Sequence, residues 1–485
     1  MYPLTCPGLA VSAVLGVSVA VLTSSPLNAW ALAVAPLVVG LTWRRDEVPV
    51  FPFILGYQWI AVVIGHFYEQ IFGVQLSSGY LPGDLERTMV LSLTGLVVLA
   101  VGMRIGAGHG PSVIVDTRGQ ASEGRIRALF WLVMVLYVPD YVSALNPRQL
   151  FGTDAMVEAL LGFRRVFVMA LWYEILAGRG PRGYLLISFA WVMVPALGAY
   201  FSTFKDPVFM LTLVAVSYWR PWDRDWWRVA APRMAALAPI ILMVLVLATA
   251  WQYGVKRETR QAHDNAAIGT GVGDRAAFFV ERTRKVLPEL WASPREGVES
   301  LVSRLSYVVF FSRVLEHVPA VEPHSDGELL WMAVTNGVTP RFLFPDKPAL
   351  PSDSYYTQRF TGLRVGFRDT SISIGYMAEF YADWGFRGMF VSILGYGLWM
   401  GLLHRAIRRF VQPLPLIAPA LVTVLLSMVE FEHQFIKGFA ALNLGFGVVI
   451  AATLVLRPWL QRVVVDAPDS VETYPAEPIP APASE

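Results

Sequence analysis

The sequence predicts an all-α polytopic integral membrane protein, and two observations lead to this fold class. Hydrophobic residues make up 55% of the 485 residues and charged residues only 16%, whereas about a quarter of the residues are charged in a soluble domain. The apolar residues also gather in runs close to the roughly 20 residues that a helix needs to cross a bilayer core. Lipid is therefore expected to be the solvent for much of the chain.

The apolar runs predict about twelve transmembrane helices, and no internal repeat is visible among them. The predicted spans lie near residues 7–23, 27–43, 51–72, 88–105, 125–145, 164–179, 184–202, 205–219, 232–253, 388–410, 413–430 and 436–456.

Arginines in the short connections predict the orientation, because cytoplasmic loops carry an excess of Arg and Lys. The arginines that fall on one side are Arg44, Arg45, Arg104, Arg118, Arg179, Arg182, Arg220, Arg224, Arg228, Arg405, Arg408, Arg409, Arg457 and Arg462. We therefore expect that side, and with it both termini, to be cytoplasmic.

This pattern divides the chain into four parts. Residues 1–254 hold about nine predicted helices, 255–387 form one large extracytoplasmic loop, and 388–456 hold about three more helices. Residues 457–485 are predicted to be a disordered cytoplasmic tail, because the chain from about Asp466 is acidic, rich in Pro and Ala and poor in apolar residues. Within the loop, apolar residues recur at helical spacing over 296–318, which predicts an amphipathic helix on the bilayer surface.

Composition and motifs exclude several classes of function. The net charge of +2 gives no reason to expect a nucleic-acid partner, and the single cysteine, Cys6, excludes an intrachain disulfide. No P-loop, dinucleotide fingerprint, HExxH or GxSxG motif occurs in a credible context.

Extracytoplasmic cations are the main chemical signal that remains. Lys205 lies in a predicted tight hairpin, and the large loop carries Arg304, Arg341, Lys347 and Arg368. Each cation by itself fits a structural role, reaching lipid phosphates or pairing with a nearby acid. Together, the planar guanidinium groups and compact ammonium groups suit a diphosphate. Prolines at 340, 345, 348 and 351 would stiffen the backbone around two of these cations.

Acidic residues offer two further candidates. Glu379 and Asp383 are four residues apart and share one helical face, so they fit either a solvated interfacial helix or a carboxylate that accepts a proton from a sugar hydroxyl. Glu430, Glu432 and His433 resemble a metal-ligand set, but we interpret them as polar residues of a loop and expect no metal there.

Two stretches resemble the Wzy-type family of oligosaccharide repeat-unit polymerases, which make O-antigen and exopolysaccharide. They are "TPRFLFPDKP" and "SIGYMAEFYADWGFRGMFVSILGYGLWMG". The matching residues are Arg341, Pro345, Lys347 and Pro348 in the first, and Gly375, Glu379, Gly385 and Gly388 in the second. Lys205 and Arg304 stand where such proteins often have a cation. The motifs cover about residues 300–400, and hydropathy alone extends the similarity.

The resemblance implies a multi-pass enzyme of the bacterial inner membrane, with an architecture like that of GT-C glycosyltransferases. Such an enzyme joins polyprenyl-diphosphate-linked oligosaccharides on the periplasmic face, by inverting transfer and without a metal or another cofactor. A chain-length regulator, a flippase and membrane lipids are the implied partners. Lys205, Arg304, Arg341, Lys347 and Arg368 would bind the diphosphate, and Glu379 would act as base or position the acceptor.

Two alternatives remain open at this point. A ligase similar to the O-antigen ligases would use the same donor with a different acceptor, and would need the same cations. A transporter or flippase of lipid-linked sugars would instead carry ionisable residues near mid-bilayer and repeat symmetry, and the sequence shows few of the former and no repeat.

Overall fold

The computed structural model describes residues 5–23, 25–44, 47–73, 84–108, 122–142, 155–197, 204–219, 238–256, 258, 272–339, 344, 351–363 and 372–464. Across these ranges the regular structure is helical and contains no β-strand. The predicted all-α class is confirmed for the described part of the chain.

In the N-terminal half, the described residues form nine α-helices. They are α1 (Thr5–Thr23), α2 (Pro26–Thr42), α3 (Val50–Phe72), α4 (Leu85–Ala107), α5 (Glu123–Tyr141), α6 (Ala155–Leu176), α7 (Arg182–Leu197), α8 (Lys205–Trp219) and α9 (Ala238–Ala250). A short π-helix, Trp251–Val255, continues α9.

The described residues of the C-terminal half form nine further α-helices. They are α10 (Val272–Ala292), α11 (Pro294–Leu305), α12 (Val308–His317), α13 (Glu328–Val338), α14 (Asp353–Thr361), α15 (Tyr376–Phe410), α16 (Ile417–Leu425), α17 (Phe435–Val455) and α18 (Arg457–Val464). Short 3₁₀ turns, Leu414–Leu416 and Leu426–Met428, flank α16.

A helix lies at each predicted span, and four helices of the described chain are long and apolar enough to cross a membrane. These four are α3, α4, α15 and α17. The helices at several other predicted spans are apolar but shorter, including α2 and α7. Membrane-crossing helices are thus indicated by length and composition, whereas the total number of spans stays a prediction.

The helices α4 and α15 form the central packing contact, and glycines allow their backbones to touch. A Cβ atom at Gly102 or Gly106 would overlap the backbone of α15, and one at Gly397 or Gly401 would overlap the backbone of α4. Each pair has the GxxxG spacing that brings membrane helices into close contact. The crossing therefore depends on small residues in both helices.

The two ends of α15 lie against different connections. At its C-terminal end, Arg44 donates a hydrogen bond to Gly108 O, and Arg408 pairs with Glu47 at 3.1 Å. At its start, a Cβ on Gly375 would lie 2.8 Å from the carbonyl oxygen of Phe431. Connections that the Arg pattern assigns to opposite sides of a membrane therefore meet at opposite ends of this helix.

In the region predicted as one large loop, 255–387, the described residues form α10–α14 and the first turns of α15, which starts at Tyr376 and not at 388. The helix expected at 296–318 also differs from the prediction. It divides into α11 and α12 at Ser306 and Tyr307. The apolar residues Val308, Phe311 and Val314 are at most 3% exposed and belong to the main hydrophobic core. Protein, rather than lipid, covers this apolar face, because α12 packs against α4, α14 and α15.

The start of the predicted disordered tail differs from the prediction. Residues 457–464 form α18, and Leu460 is fully buried where this helix packs against α5 and α17. Residues 465–485 lie outside the described residues.

Candidate functional site

Two of the predicted diphosphate ligands converge on one connection between helices. Lys205 is the first residue of α8, and Arg304 lies in the last turn of α11. Both reach residues 429–434, the carboxylate loop, which connects the 3₁₀ turn after α16 to α17. Lys205 forms an ion pair with Glu430, and Arg304 donates to both carboxylate oxygens of Glu432 over 2.5 and 2.6 Å.

These four residues form one electrostatic unit, because Lys205 also lies within ionic range of Glu432 and Arg304. The bidentate Arg304–Glu432 contact is the geometry in which a guanidinium group also binds phosphate. We call Lys205, Arg304, Glu430 and Glu432 the ion-pair cluster.

The cluster is open to solvent to a moderate degree. The side chains of Lys205 and Arg304 are 35% and 38% exposed, and those of Glu430 and Glu432 are 15% and 25% exposed. A polar molecule from the surrounding water can therefore reach the two cations.

Further ion pairs extend the cluster along the helix ends. Arg165 donates to Asp206 over 3.1 Å, directly beside Lys205 in the chain. Arg164 donates to Asp140 over 2.6 Å and packs over the Tyr137 ring at 4.0 Å. Arg164 and Arg165 are thus both paired with acids.

Tyr307, at the break between α11 and α12, packs against Arg304. The guanidinium carbon lies 5.7 Å from the ring centroid, and the hydroxyl donates to Ser373 O. Burial, and then the Glu432 carboxylate, raise the pKa of Tyr307 above its usual value, so the phenol stays protonated at neutral pH. Although burial by itself would lower the pKa of Arg304, the Glu432 carboxylate raises it overall.

His433 completes the carboxylate loop. Its Nε2 lies 2.9 Å from Glu430 Oε2, and its Nδ1 lies 3.2 Å from Ser427 O. The side chain is 45% exposed, yet crowding by the surrounding helix ends desolvates the ring. This desolvation, followed by the Lys205 ammonium group, holds the pKa of His433 below its usual value.

Glu379, the predicted base, caps a helix. Its side chain is buried, and Oε2 accepts a hydrogen bond of 2.9 Å from the N–H of Phe435, the first residue of α17. Asp383 does the same for α13, accepting from the N–H groups of Leu329 and Leu330 at 3.0 and 2.8 Å. Carboxylates stabilise helix N-termini in this way because the N–H groups there lack partners within the helix.

The other predicted ligands, Arg341, Lys347 and Arg368, lie outside the described residues. The chain on either side of the first two is nevertheless attached to the start of α17. A Cβ on Gly337 would lie 3.0 Å from the Phe439 ring, and Asp353 pairs with Lys437 at 2.7 Å. The cationic segment thus leaves and rejoins the described fold beside the helix that follows the carboxylate loop.

Glu430, Glu432 and His433 are the residues whose part in this site the sequence interpretation missed. Their signal is present in the sequence, since this acidic connection is predicted to lie on the same side of the membrane as Lys205 and Arg304.

In its described residues the protein is helical, with four helices long and apolar enough to cross a membrane and a charged cluster beside the start of α17. A family model described as a domain of unknown function (DUF8712) matches residues 132–410, more than half of the 485 residues. The chain belongs to this family. The matched region includes Lys205, Arg304 and Glu379 and ends before the carboxylate loop. No curated protein and no solved structure matches the chain.

Proposed function

We propose that this protein polymerises polyprenyl-diphosphate-linked oligosaccharide repeat units at the periplasmic face of a bacterial inner membrane, as the Wzy-type polymerases do. The observation that carries the proposal is the convergence of Lys205 and Arg304 on one solvent-accessible cluster. These cations were singled out by type and position from distant parts of the sequence. Their meeting supports a common anionic ligand.

The chemistry follows from where charge develops. A hydroxyl oxygen of the acceptor glycan attacks the anomeric carbon of the donor, the bond from that carbon to the diphosphate oxygen breaks, and polyprenyl diphosphate leaves. Cations held in place before the reaction stabilise the negative charge on the leaving group. Lys205 and Arg304 supply two of them, and we assign Arg341, Lys347 and Arg368 to the same diphosphate.

For Glu379 the helix cap favours an indirect role over that of a base. Its carboxylate holds the first N–H of α17 and thereby positions the end of the carboxylate loop. We therefore propose that Glu379 is a positioning residue for the acceptor side of the site.

The proposed orientation has both termini in the cytoplasm, and the segregation of connections to opposite ends of α15 supports it. The test places single cysteines at Val321, which is 71% exposed in the proposed periplasmic region, and at the exposed Arg182 on the proposed cytoplasmic side, in a Cys6→Ser background. In intact spheroplasts, a membrane-impermeant thiol reagent should label only the Val321→Cys protein. Labelling of the Arg182→Cys protein alone would reverse the orientation.

The activity test uses purified protein with lipid-linked repeat units and a glycan-length readout. Arg304→Ala should lower turnover by roughly 10²–10³-fold, the effect of removing one preorganised donor from developing charge. Arg341→Ala and Lys347→Ala should act in the same direction.

Arg295→Ala is the matched control, because Arg295 lies on the same helix in an exposed pair with Glu299 at 3.0 Å. Its loss should leave turnover unchanged. Equal activity of the Arg304→Ala and control proteins would remove the cluster from the mechanism. Transfer to a lipid A–core acceptor in place of a second repeat unit would assign the ligase reaction instead.

A further inference from the structure

The ion-pair cluster is electrically balanced, with two cations facing two carboxylates. Glu432 occupies both terminal nitrogens of Arg304, and Glu430 occupies the ammonium group of Lys205. The carboxylates thus hold the positions that phosphoryl oxygens would take. Any anion that binds the cations has to displace at least one of them.

We propose that Glu430 and Glu432 determine specificity, restricting the cluster to ligands that carry two linked, charged phosphoryl groups. The inference rests on the proposed function in one respect, that the natural ligand is the diphosphate of a lipid-linked glycan. A singly charged phosphodiester can replace one carboxylate and leaves the other ion pair intact. A diphosphate can replace both.

Charge balance gives the physical reason for this selectivity. A cation that is already paired offers a second anion little net attraction, because the bound carboxylate repels it. Each charge-assisted contact made to a phosphoryl group then has to offset one contact that is broken. A diphosphate makes both replacements within one molecule, so the second occurs without another loss of translational freedom.

The local structure lets the carboxylates leave. Both belong to a connection without regular helix, and both side chains reach solvent. Glu430 also has a second partner in His433 at 2.9 Å, which remains available after Lys205 binds a phosphate. Displacement therefore moves each carboxylate toward water or toward His433, and leaves no buried unpaired charge.

A different role for the same acids makes the opposite prediction. If Glu430 and Glu432 serve only to position the cations, removing their charge would loosen Lys205 and Arg304 and weaken the binding of every anion. If they instead exclude weak anions, removing their charge should strengthen binding, most of all for singly charged ligands.

The experiment measures binding of P1,P2-dimethyl diphosphate and of dimethyl phosphate to the purified full chain by calorimetry. The variants are Glu430→Gln, Glu432→Gln and the double variant, since Gln keeps the size and polarity of the side chain. Glu281→Gln is the control, because it removes an acid from an exposed pair with Lys285 at 2.8 Å, in α10. Apparent melting temperatures report whether each protein is folded.

The wild type should prefer the diphosphate by at least about tenfold. In the double variant both ligands should bind more tightly and the preference should fall by about tenfold, while Glu281→Gln matches the wild type. Weaker diphosphate binding in the variants at unchanged melting temperature would overturn the proposal, and so would a wild type that binds neither ligand.

Polymerisation is measured separately, so the two proposals can fail independently. Normal glycan synthesis with an unchanged ligand preference in the variants refutes the selectivity and leaves the polymerase proposal standing. If the ligand preference changes as expected but the protein makes no glycan, the polymerase proposal is refuted and the anion selectivity remains.

Discussion

Two charged clusters, each built from basic side chains and glutamate, lie at opposite ends of α15. At the start of α15, the ion-pair cluster joins cations to Glu430 and Glu432. At the other end, Glu47 accepts from Arg44 at 3.3 Å and Arg408 at 3.1 Å and lies 3.2 Å from His404 Nε2. The second group, which we call the Glu47 cluster, has side chains that are 3–8% exposed.

This difference in exposure separates a structural role from a role in binding. In the Glu47 cluster no side chain can exchange its partner without leaving a desolvated charge, which is costly. It therefore fastens the connection after α2 to the end of α15. In the ion-pair cluster each partner reaches water, so an anionic ligand can replace a carboxylate. Access to solvent, more than residue type, marks the candidate site.

The largest effect should come from removing the acid of the buried cluster. Glu47→Ala removes the carboxylate that Arg44 and Arg408 share. Removing one partner of a buried ion pair lowers the free energy of unfolding by about 3–5 kcal/mol. We expect little folded protein, measured as the monodisperse fraction after detergent extraction. Glu432→Ala, its partly exposed counterpart, should remain close to wild type in this assay. Equal losses in the two variants would erase the distinction between the clusters.

A smaller effect should follow from disturbing the contact of α4 with α15, the helix whose ends carry the two clusters. Gly106→Ala places a methyl group against the Leu398 backbone of α15, where neither helix can move aside easily. Overpacking of this kind typically costs about 1–3 kcal/mol, so the apparent melting temperature should fall.

Gly395→Ala is the control, because a Cβ there meets nothing within 4 Å. Since Ala favours a helix more than Gly does, this control should keep or raise the melting temperature. An equal fall in melting temperature for both variants would show that the effect does not come from the helix crossing.

A modest pH effect should distinguish His433 of the carboxylate loop. Its pKa is lowered in the folded protein, so below about pH 6.5 the unfolded chain binds more protons than the folded one. This residue's contribution to stability is therefore complete above about pH 6.5 and is lost as the pH falls toward the lowered folded pKa. His433→Gln should flatten the decline in melting temperature between about pH 7 and 5.5. An unchanged profile would show that the imidazole titrates normally.

No effect at all is expected from chelation. Lys205 and Arg304 supply positive charge at the place where a divalent ion would otherwise act, so polymerisation should persist in excess EDTA. Loss of activity in EDTA, with recovery on adding a divalent ion, would redirect attention to Glu430, Glu432 and His433 as metal ligands.

The sequence was sufficient for features that depend on nearby residues. Hydropathy correctly predicts a helix at each predicted span, because whether a helix can cross a bilayer depends on about 20 consecutive side chains. The sequence also singled out Lys205 and Arg304, because the Arg pattern predicts that both lie on the side of the membrane where loops carry few cations. This prediction needs no knowledge of their neighbours in space.

Only the tertiary structure decided the partners of those residues. Arg304 and Glu432 are 128 residues apart in the chain, and no periodicity connects them. The same holds for Glu379, whose spacing from Asp383 indicated a shared face but not that each acid caps the N-terminus of a different helix. An ion pair or a cap depends on where distant backbone segments meet. Contacts between distant segments follow from how the apolar helices pack, as at the glycine crossing of α4 and α15. The residue pattern of a single segment carries no information about these contacts.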